Sequence, residues 1–103
     1  MMNKKQEIGK IIVDFMEQEA IARIEYDNAE AVAEATYKKV VYWEHLYKES
    51  GEAEEVGVVL DKLYDEHYET NHAQHEAYDK LEGIQKVLEH LREAVEIIEE
   101  WEL

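Results

Sequence analysis

The chain has 103 residues, of which 26 are acidic and 11 are basic, giving a formal net charge of −15. Hydrophobic residues make up 46 % of it, an ordinary share for a folded protein, so we predict one folded domain, residues 1–103, rather than a disordered acidic tail. The absence of proline and the abundance of Glu, Ala, Lys and Leu predict that this domain is all-helical. The absence of cysteine excludes disulfides, thiolate metal sites and cysteine nucleophiles. The negative charge disfavours direct binding to nucleic acid or to anionic membranes and favours basic partners.

The sequence gives no indication of membrane insertion or secretion. Its apolar runs are far shorter than the roughly 20 residues that a spanning helix needs. The first residues lead into a charged amphipathic stretch instead of the apolar core of a signal peptide. We therefore expect a cytoplasmic protein that makes no membrane contact.

A long amphipathic pattern begins near the N-terminus. A mainly apolar stripe repeats at alternating steps of four and three residues: Ile8, Ile12, Phe15, Glu19, Ala22, Tyr26, Ala29, Ala33, Thr36, Val40, Trp43 and Tyr47. A heptad stripe of this length is typical of a helix that packs along another helix. It predicts a helix over residues 3–49.

The clearest break follows at Glu49-Ser50-Gly51-Glu52. Gly51 can adopt the left-handed conformation that ends a helix, and Ser50 can cap the next one. A second stripe with the same steps comes after the break: Val56, Leu60, Leu63, His67, Thr70, Gln74, Ala77, Leu81, Ile84, Leu88, Leu91, Val95 and Ile98. It predicts a second helix over residues 52–101.

Folding the chain at this break predicts an antiparallel helical hairpin. Facing residues then have numbers that sum to roughly 100, by reflection about the turn. The polar middles of the stripes, 22–36 and 67–77, then coincide, and this agreement favours the hairpin. The arms could kink or break near 26–28 and 70–72, which would give four shorter helices. We expect long arms, because no glycine or proline marks either middle.

Many apolar residues lie outside the two stripes. They are Ile11, Ile21, Ile24, Val32, Val41, Leu46, Val58, Val59, Val87, Ile97 and Trp101. A hairpin that is only two helices thick would leave these side chains in water. We therefore expect self-association, most simply a homodimer that forms a four-helix bundle.

The acidity is concentrated in the second arm. Residues 1–50 carry seven basic and ten acidic residues, net −3, whereas residues 51–103 carry four and sixteen, net −12. Like charges at i and i+4, such as Asp61 and Asp65, do not stabilise a helix. A ladder of carboxylates one turn apart could instead imitate a phosphate backbone. The alternative is a solvated face that only keeps the chain soluble.

Tyrosines beside these acids favour a protein-binding surface, because tyrosine offers large contact area at low entropic cost. An alternative role for them is to cover the bundle itself or its dimer interface. The candidate partner-binding residues are Tyr37, Tyr42, Asp61, Tyr64, Asp65, Tyr68, Glu69, Glu76 and Asp79.

Two weaker patterns suggest metal chemistry. Glu69 and His72 form a Glu-x-x-His motif of the kind found in ferritin-like di-metal bundles, and Glu30 would lie across the hairpin from it. The motif is expected about once by chance in so acidic a chain. The pairs Glu52/Glu55 and Glu76/Asp79 have the spacing that helical nucleotide pyrophosphatases use for magnesium, but they fall on one arm.

The sequence thus favours a non-enzymatic interaction module without a cofactor. It would bind a basic protein surface, in the sharpest version that of a nucleic-acid-binding enzyme, which it would inhibit. In composition the chain resembles small acidic helical inhibitors made by bacteriophages, although no motif carries that resemblance. The alternatives are the ferritin-like di-metal carboxylate bundle and a structural coiled-coil component.

Overall fold

Two helices account for nearly all of the chain. In the computed structural model, which describes residues 3–102, α1 spans Lys4–Glu49 and α2 spans Glu54–Glu102. The predicted all-α hairpin of two long helices is confirmed, and no strand occurs among residues 3–102. Both helices run without interruption through 26–28 and 70–72, so the alternative of four shorter helices is wrong.

The start of α1 is fixed by a reciprocal pair of hydrogen bonds. The backbone N–H of Gln6 donates to Asn3 Oδ1 at 2.8 Å, and the backbone N–H of Asn3 donates to Gln6 Oε1 at 3.2 Å. This arrangement is a capping box, which satisfies two backbone donors that a helix start otherwise leaves unpaired.

The end of α1 is a Schellman motif. The N–H of Glu52 donates to the Tyr47 carbonyl at 2.9 Å, and the N–H of Gly51 donates to the Lys48 carbonyl at 3.2 Å. Gly51 has a φ of 69°, as the sequence predicted, and Glu52 follows with a φ of 65°. Two successive left-handed residues reverse the chain, and glycine occupies the first of them at no steric cost.

Ser50 assists the start of α2 without being its capping residue. Its Oγ accepts the N–H of Ala53 at 3.3 Å and donates to the Tyr47 carbonyl at 3.0 Å. The Ala53 carbonyl accepts the first helical N–H, from Gly57, at 3.1 Å. Ala53 therefore holds the cap position, which corrects the expectation that Ser50 would.

Packing follows the two predicted stripes. Every residue of both stripes is buried or partly buried, whereas most other positions are exposed. The buried residues are Ala22, Ala33, Thr36, Val40, Leu60, Leu81, Ile84 and Leu88. The seam between the helices is therefore narrow and contains two alanines, which let the backbones approach closely.

Contacts divide the chain into two compact units. We call them the terminal unit, within Met1–Glu25 and Tyr78–Leu103, and the turn unit, Tyr26–Ala77. In each unit a segment of α1 packs antiparallel to a segment of α2. Neither helix has a stretch within residues 3–102 that is long and apolar enough to cross a bilayer.

Ion pairs between the helices show the register in each unit. In the terminal unit, Lys5 Nζ lies 2.9 Å from Glu99 Oε1, and Lys80 Nζ lies 3.1 Å from Glu25 Oε2. The hydrogen bond and the charge of Glu99 raise the pKa of Lys5 above its ordinary value. In the turn unit, Lys39 Nζ lies 3.9 Å from Glu66 Oε1.

The residue numbers in these three pairs sum to 104 or 105. The expected sum was roughly 100, so the register differs by about four residues. The reason is the turn, because α1 ends at Glu49 and α2 begins only at Glu54. The point of reflection therefore lies after Gly51 rather than at Ser50.

Replacing Gly51 tests the left-handed turn. Gly51→Ala should destabilise the fold by about 1 kcal/mol, because a Cβ at positive φ is strained. Gly9→Ala is the matched control, since a Cβ at Gly9 would meet nothing within 4 Å inside a helix. It should stabilise by about 0.5–1 kcal/mol. Urea unfolding followed by circular dichroism measures the free energy of unfolding of both variants. If the two substitutions changed it in the same direction, strain at Gly51 would be contradicted.

Candidate protein-binding face

A polar cluster interrupts the apolar seam in the turn unit. Thr36 is only 3 % exposed, and its Oγ1 lies 2.7 Å from Thr70 Oγ1, 3.2 Å from His67 Nδ1 and 2.9 Å from the Ala33 carbonyl. Thr70 Oγ1 also lies 3.1 Å from the His67 carbonyl. Among the described residues no buried side-chain nitrogen or oxygen lacks a partner, so the cluster is satisfied.

Counting protons assigns the tautomer of His67. The two hydroxyls supply two protons for four close contacts. If His67 Nδ1 carries a proton and donates to Thr36, three of these contacts become hydrogen bonds. If Nδ1 accepts instead, only two do. The cluster therefore favours Nδ1 as the donor, and in the neutral ring Nε2 is then an acceptor.

A cavity of about 340 Å³ lies beside this cluster. Its lining consists of Glu30, Ala33, Glu34, Tyr37, His67, Asn71 and Gln74. The ring of Tyr37 lies 5.8 Å from the ring of His67, at an interplanar angle of 48°. The cavity thus combines two carboxylates, an aromatic ring, an imidazole and two side-chain amides.

A second cavity of about 280 Å³ lies nearer the turn. Its lining consists of Glu44, Tyr47, Lys48, Gly57, Leu60, Asp61 and Tyr64. The Tyr64 hydroxyl donates to Glu44 Oε2 at 3.1 Å. A Cβ at Gly57 would approach the Tyr47 ring to 3.3 Å, so glycine leaves room for that ring.

The two cavities open on the same flank of the turn unit. Glu30, Tyr37 and Glu44 are seven residues apart on α1, as Gly57, Tyr64 and Asn71 are on α2. Residues at this spacing share one side of a packed helix, and in an antiparallel pair these two columns adjoin. We call this surface the tyrosine–acid face and define it by its exposed acidic and tyrosine members, Glu30, Glu34, Tyr37, Glu44, Asp61 and Tyr64. Lys48 and Asn71 are exposed beside them.

The environment of Tyr64 raises its pKa above the ordinary value for tyrosine. Partial desolvation is the largest cause, followed by the hydrogen bond to Glu44 and by the negative charges of Glu44 and Asp61. Each of these disfavours the phenolate. Tyr64 is therefore held as a neutral hydrogen-bond donor well into alkaline solution.

The predicted partner-binding residues do not form one surface. Tyr37, Asp61 and Tyr64 line the two cavities. Asp65 and Glu69 are exposed, but each step of four residues turns the side chain by about 40°, so the ladder that starts at Asp61 winds away from the tyrosine–acid face.

The remaining predicted residues lie elsewhere. Tyr42 packs edge-on against Trp43 with ring centroids 6.2 Å apart, and Tyr68, 74 % exposed, stacks on His72 at 6.4 Å. Glu76 Oε1 lies 3.1 Å from His72 Nε2. Asp79 belongs to the terminal unit.

The candidate metal ligands are not assembled. No group of three His, Asp or Glu side chains that could hold a metal ion occurs among residues 3–102. Within the chain, Glu30, Glu69 and His72 are not brought together, since Glu30 lines a cavity and His72 contacts Glu76. Glu55 and Glu76 lie about 30 Å apart along one helix, too far to share a magnesium ion.

Sequence reasoning missed three polar residues of this flank, Glu34, Glu44 and Asn71. Their signal was present in the heptad pattern, because Glu44 and Asn71 directly flank the core stripes and Glu34 lies one position further out. Comparison with known proteins adds nothing to these assignments, since no family model, curated protein or solved structure matches the chain.

Removing one member of the buried cluster should be costly. Thr36→Val keeps the shape but leaves Thr70 and His67 without their shared partner, so it should destabilise by about 1–3 kcal/mol. The triple variant Thr36→Val, His67→Leu, Thr70→Val removes all the polar partners and should recover most of this loss. Urea unfolding at matched concentration measures both, and an unchanged Thr36→Val would contradict the cluster's role.

The raised pKa of Tyr64 can be measured in the folded protein. NMR of labelled tyrosine, assigned with Tyr64→Phe, should show Tyr64 titrating above the ordinary value of about 10. Because folding raises the pKa of Tyr64, the protonated hydroxyl stabilises the folded state below the ordinary tyrosine pKa. This contribution to stability is lost as the pH rises through the pKa of Tyr64 in the folded state. Glu44→Gln should lower the Tyr64 pKa, whereas Glu17→Gln, in the terminal unit, should not. If both substitutions changed the Tyr64 pKa equally, the hydrogen bond and the charge of Glu44 would be excluded as its cause.

Proposed function

We propose that the chain is a non-enzymatic protein-interaction module whose tyrosine–acid face binds a basic surface of another protein. The observation that carries the proposal is the pair of adjacent cavities on one flank, each lined by a tyrosine ring and by carboxylates. Rigid aromatic side chains supply contact area, and the acids supply sign selectivity.

The larger cavity suits the side chain of arginine or lysine. Glu30 and Glu34 offer carboxylate acceptors, and the Tyr37 ring offers a face for a cation. In its neutral form with Nδ1 donating to Thr36, the His67 ring offers a further acceptor at Nε2. Nearly every group around the cavity can therefore accept a hydrogen bond from a cation, and none of them carries a fixed positive charge.

The charge of the whole turn unit supports the same partner class. Residues 26–77 carry four basic and thirteen acidic residues, net −9. A field of this sign accelerates the approach of a basic protein and repels nucleic acid. The sharpest version of the proposal is that the partner is a nucleic-acid-binding enzyme, whose basic groove the face occupies and thereby inhibits.

Paired charge reversals test the proposal. The face variant Glu30→Lys, Glu34→Lys and the control variant Glu17→Lys, Glu89→Lys change the net charge equally, but the control lies in the terminal unit. Each protein is used to capture partners from lysate at low and high salt, and captured proteins are identified by mass spectrometry. We expect the wild type and the control variant to retain the same basic protein. The face variant should retain at least tenfold less of it, and high salt should release it from all three.

Two outcomes would contradict the proposal. Equal loss from the face variant and the control would mean that net charge, not this face, causes capture. Retention by the face variant would mean that the acids of the face are not involved. For a captured nucleic-acid-binding protein, duplex DNA should compete with the wild-type chain, and simultaneous binding of both would rule out the inhibitor version.

A further inference from the structure

One side of α2 in the terminal unit carries no acidic residue. Its members follow one another at alternating steps of three and four: Lys80, Gly83, Val87, His90, Ala94, Ile97 and Trp101. We call this stripe the acid-free face. All eight acidic residues of 78–102 lie at other positions of the helix. The stripe is therefore a second amphipathic face, next to the one that packs against α1.

Most of the acid-free face is exposed and apolar, although it includes the polar residues Lys80 and His90 and the partly buried Ala94. Val87 and Ile97 are exposed, and Trp101 is 81 % exposed. On the adjoining α1 segment, Ile11 and Ile21 are exposed as well. A side chain as large as tryptophan contributes strongly when it is buried in an interface. An uncovered stripe of this kind in so charged a chain indicates a surface that another helix covers.

The sizes of the side chains identify a second copy of the same stripe as the occupant. If two copies pack antiparallel about position 92, Gly83 faces Trp101 of the other copy, Val87 faces Ile97, and His90 faces Ala94. The smallest residue of the stripe then receives the largest. A Cβ at Gly83 would meet nothing within 4 Å, so the space above it is open for the indole. Reciprocal pairing of this kind is what a two-fold interface requires.

The charges beside the stripe fit the same pairing. Lys86 and Glu100 are two heptads apart on the column next to the stripe. Reflection about position 92 places Lys86 opposite residue 98 of the other copy, two residues from Glu100, and this proximity occurs twice per dimer. Within one chain Lys86 Nζ already lies 3.1 Å from Glu82 Oε1, but both side chains are exposed and free to share partners. Glu93, halfway between, is the single like-charge contact in the column.

We propose that the acid-free face is the interface of an antiparallel homodimer, in which Trp101 of each chain packs over Gly83 of the other. This interface is independent of the tyrosine–acid face, which belongs to the turn unit. Because each chain carries a net charge of −15, long-range repulsion opposes the dimer and salt screens it. Salt therefore strengthens this association, whereas it weakens the binding of a basic partner.

Cysteine cross-linking tests the register directly, since the chain has no native cysteine. In the double variant Lys86→Cys, Glu100→Cys the two positions are about 21 Å apart along one helix, and a disulfide needs Cα atoms within about 7 Å. Any disulfide must therefore join two chains. Mild oxidation should convert the double variant to a closed dimer, while each single variant should react much more slowly. Equal reaction of a single variant, or no linked dimer, would overturn the proposal.

Sedimentation equilibrium tests the interface without cross-linking. Ile97→Glu places a charge in the acid-free face and should weaken dimerisation by about tenfold or more. Val13→Glu is the control, because Val13 is also an exposed apolar residue of the terminal unit but lies on α1 away from that face. It adds the same charge and should change the dimerisation constant by far less. A wild-type chain that stays monomeric as salt rises, or equal effects of the two variants, would overturn the proposal.

Discussion

A pair of packed helices has a single seam, and the properties of this chain depend on how that seam is filled. Among residues 3–102 eight side chains are buried, and two of them are alanines. One stripe of each helix is covered, so the rest of each helix is surface. In a chain with this architecture, the pattern of residues outside the seam carries the information about what it binds.

The polar cluster of Thr36, His67 and Thr70 explains why the two helices keep one register. An apolar seam with heptad spacing tolerates displacement by a whole heptad, because leucines and valines then meet similar neighbours. A buried polar group tolerates it far less, since displacement would leave hydroxyls and an imidazole without partners. The cluster therefore exchanges some stability for a defined alignment, and the alignment is what places the two cavities on one flank of the turn unit.

The fold was predictable from the sequence because it depends on periodicity. Every position of the two predicted stripes is buried or partly buried in the structure. Gly51 correctly predicted the place of the turn. The register was less predictable, because it depends on how many residues the turn uses. The Schellman motif extends it through the left-handed Glu52, and no composition rule gives that residue a positive φ.

The candidate site was less predictable than the fold for a different reason. Acids one helical turn apart were compared along a single helix, so Asp61, Asp65 and Glu69 were grouped. In the hairpin, surfaces form between two helices, from positions seven residues apart on each. The cavity nearer the turn brings Asp61 together with Glu44 and Tyr64 instead. Glu30 lines the other cavity, apart from Glu69 and His72. Side-chain contacts such as the bond from Tyr64 to Glu44 needed the three-dimensional arrangement.

We propose that one flank of the turn unit, and not the acidity of the whole chain, recognises a cationic partner. The most direct measurement is an NMR titration of the wild-type chain with a short arginine-rich peptide at moderate salt. Our account predicts that the signals of Tyr37, Tyr64 and the side-chain amide of Asn71 shift first and most, while those around Glu93, Glu96 and Glu100 shift little. Shifts spread evenly over all acidic segments would contradict it, because they would reflect net charge alone.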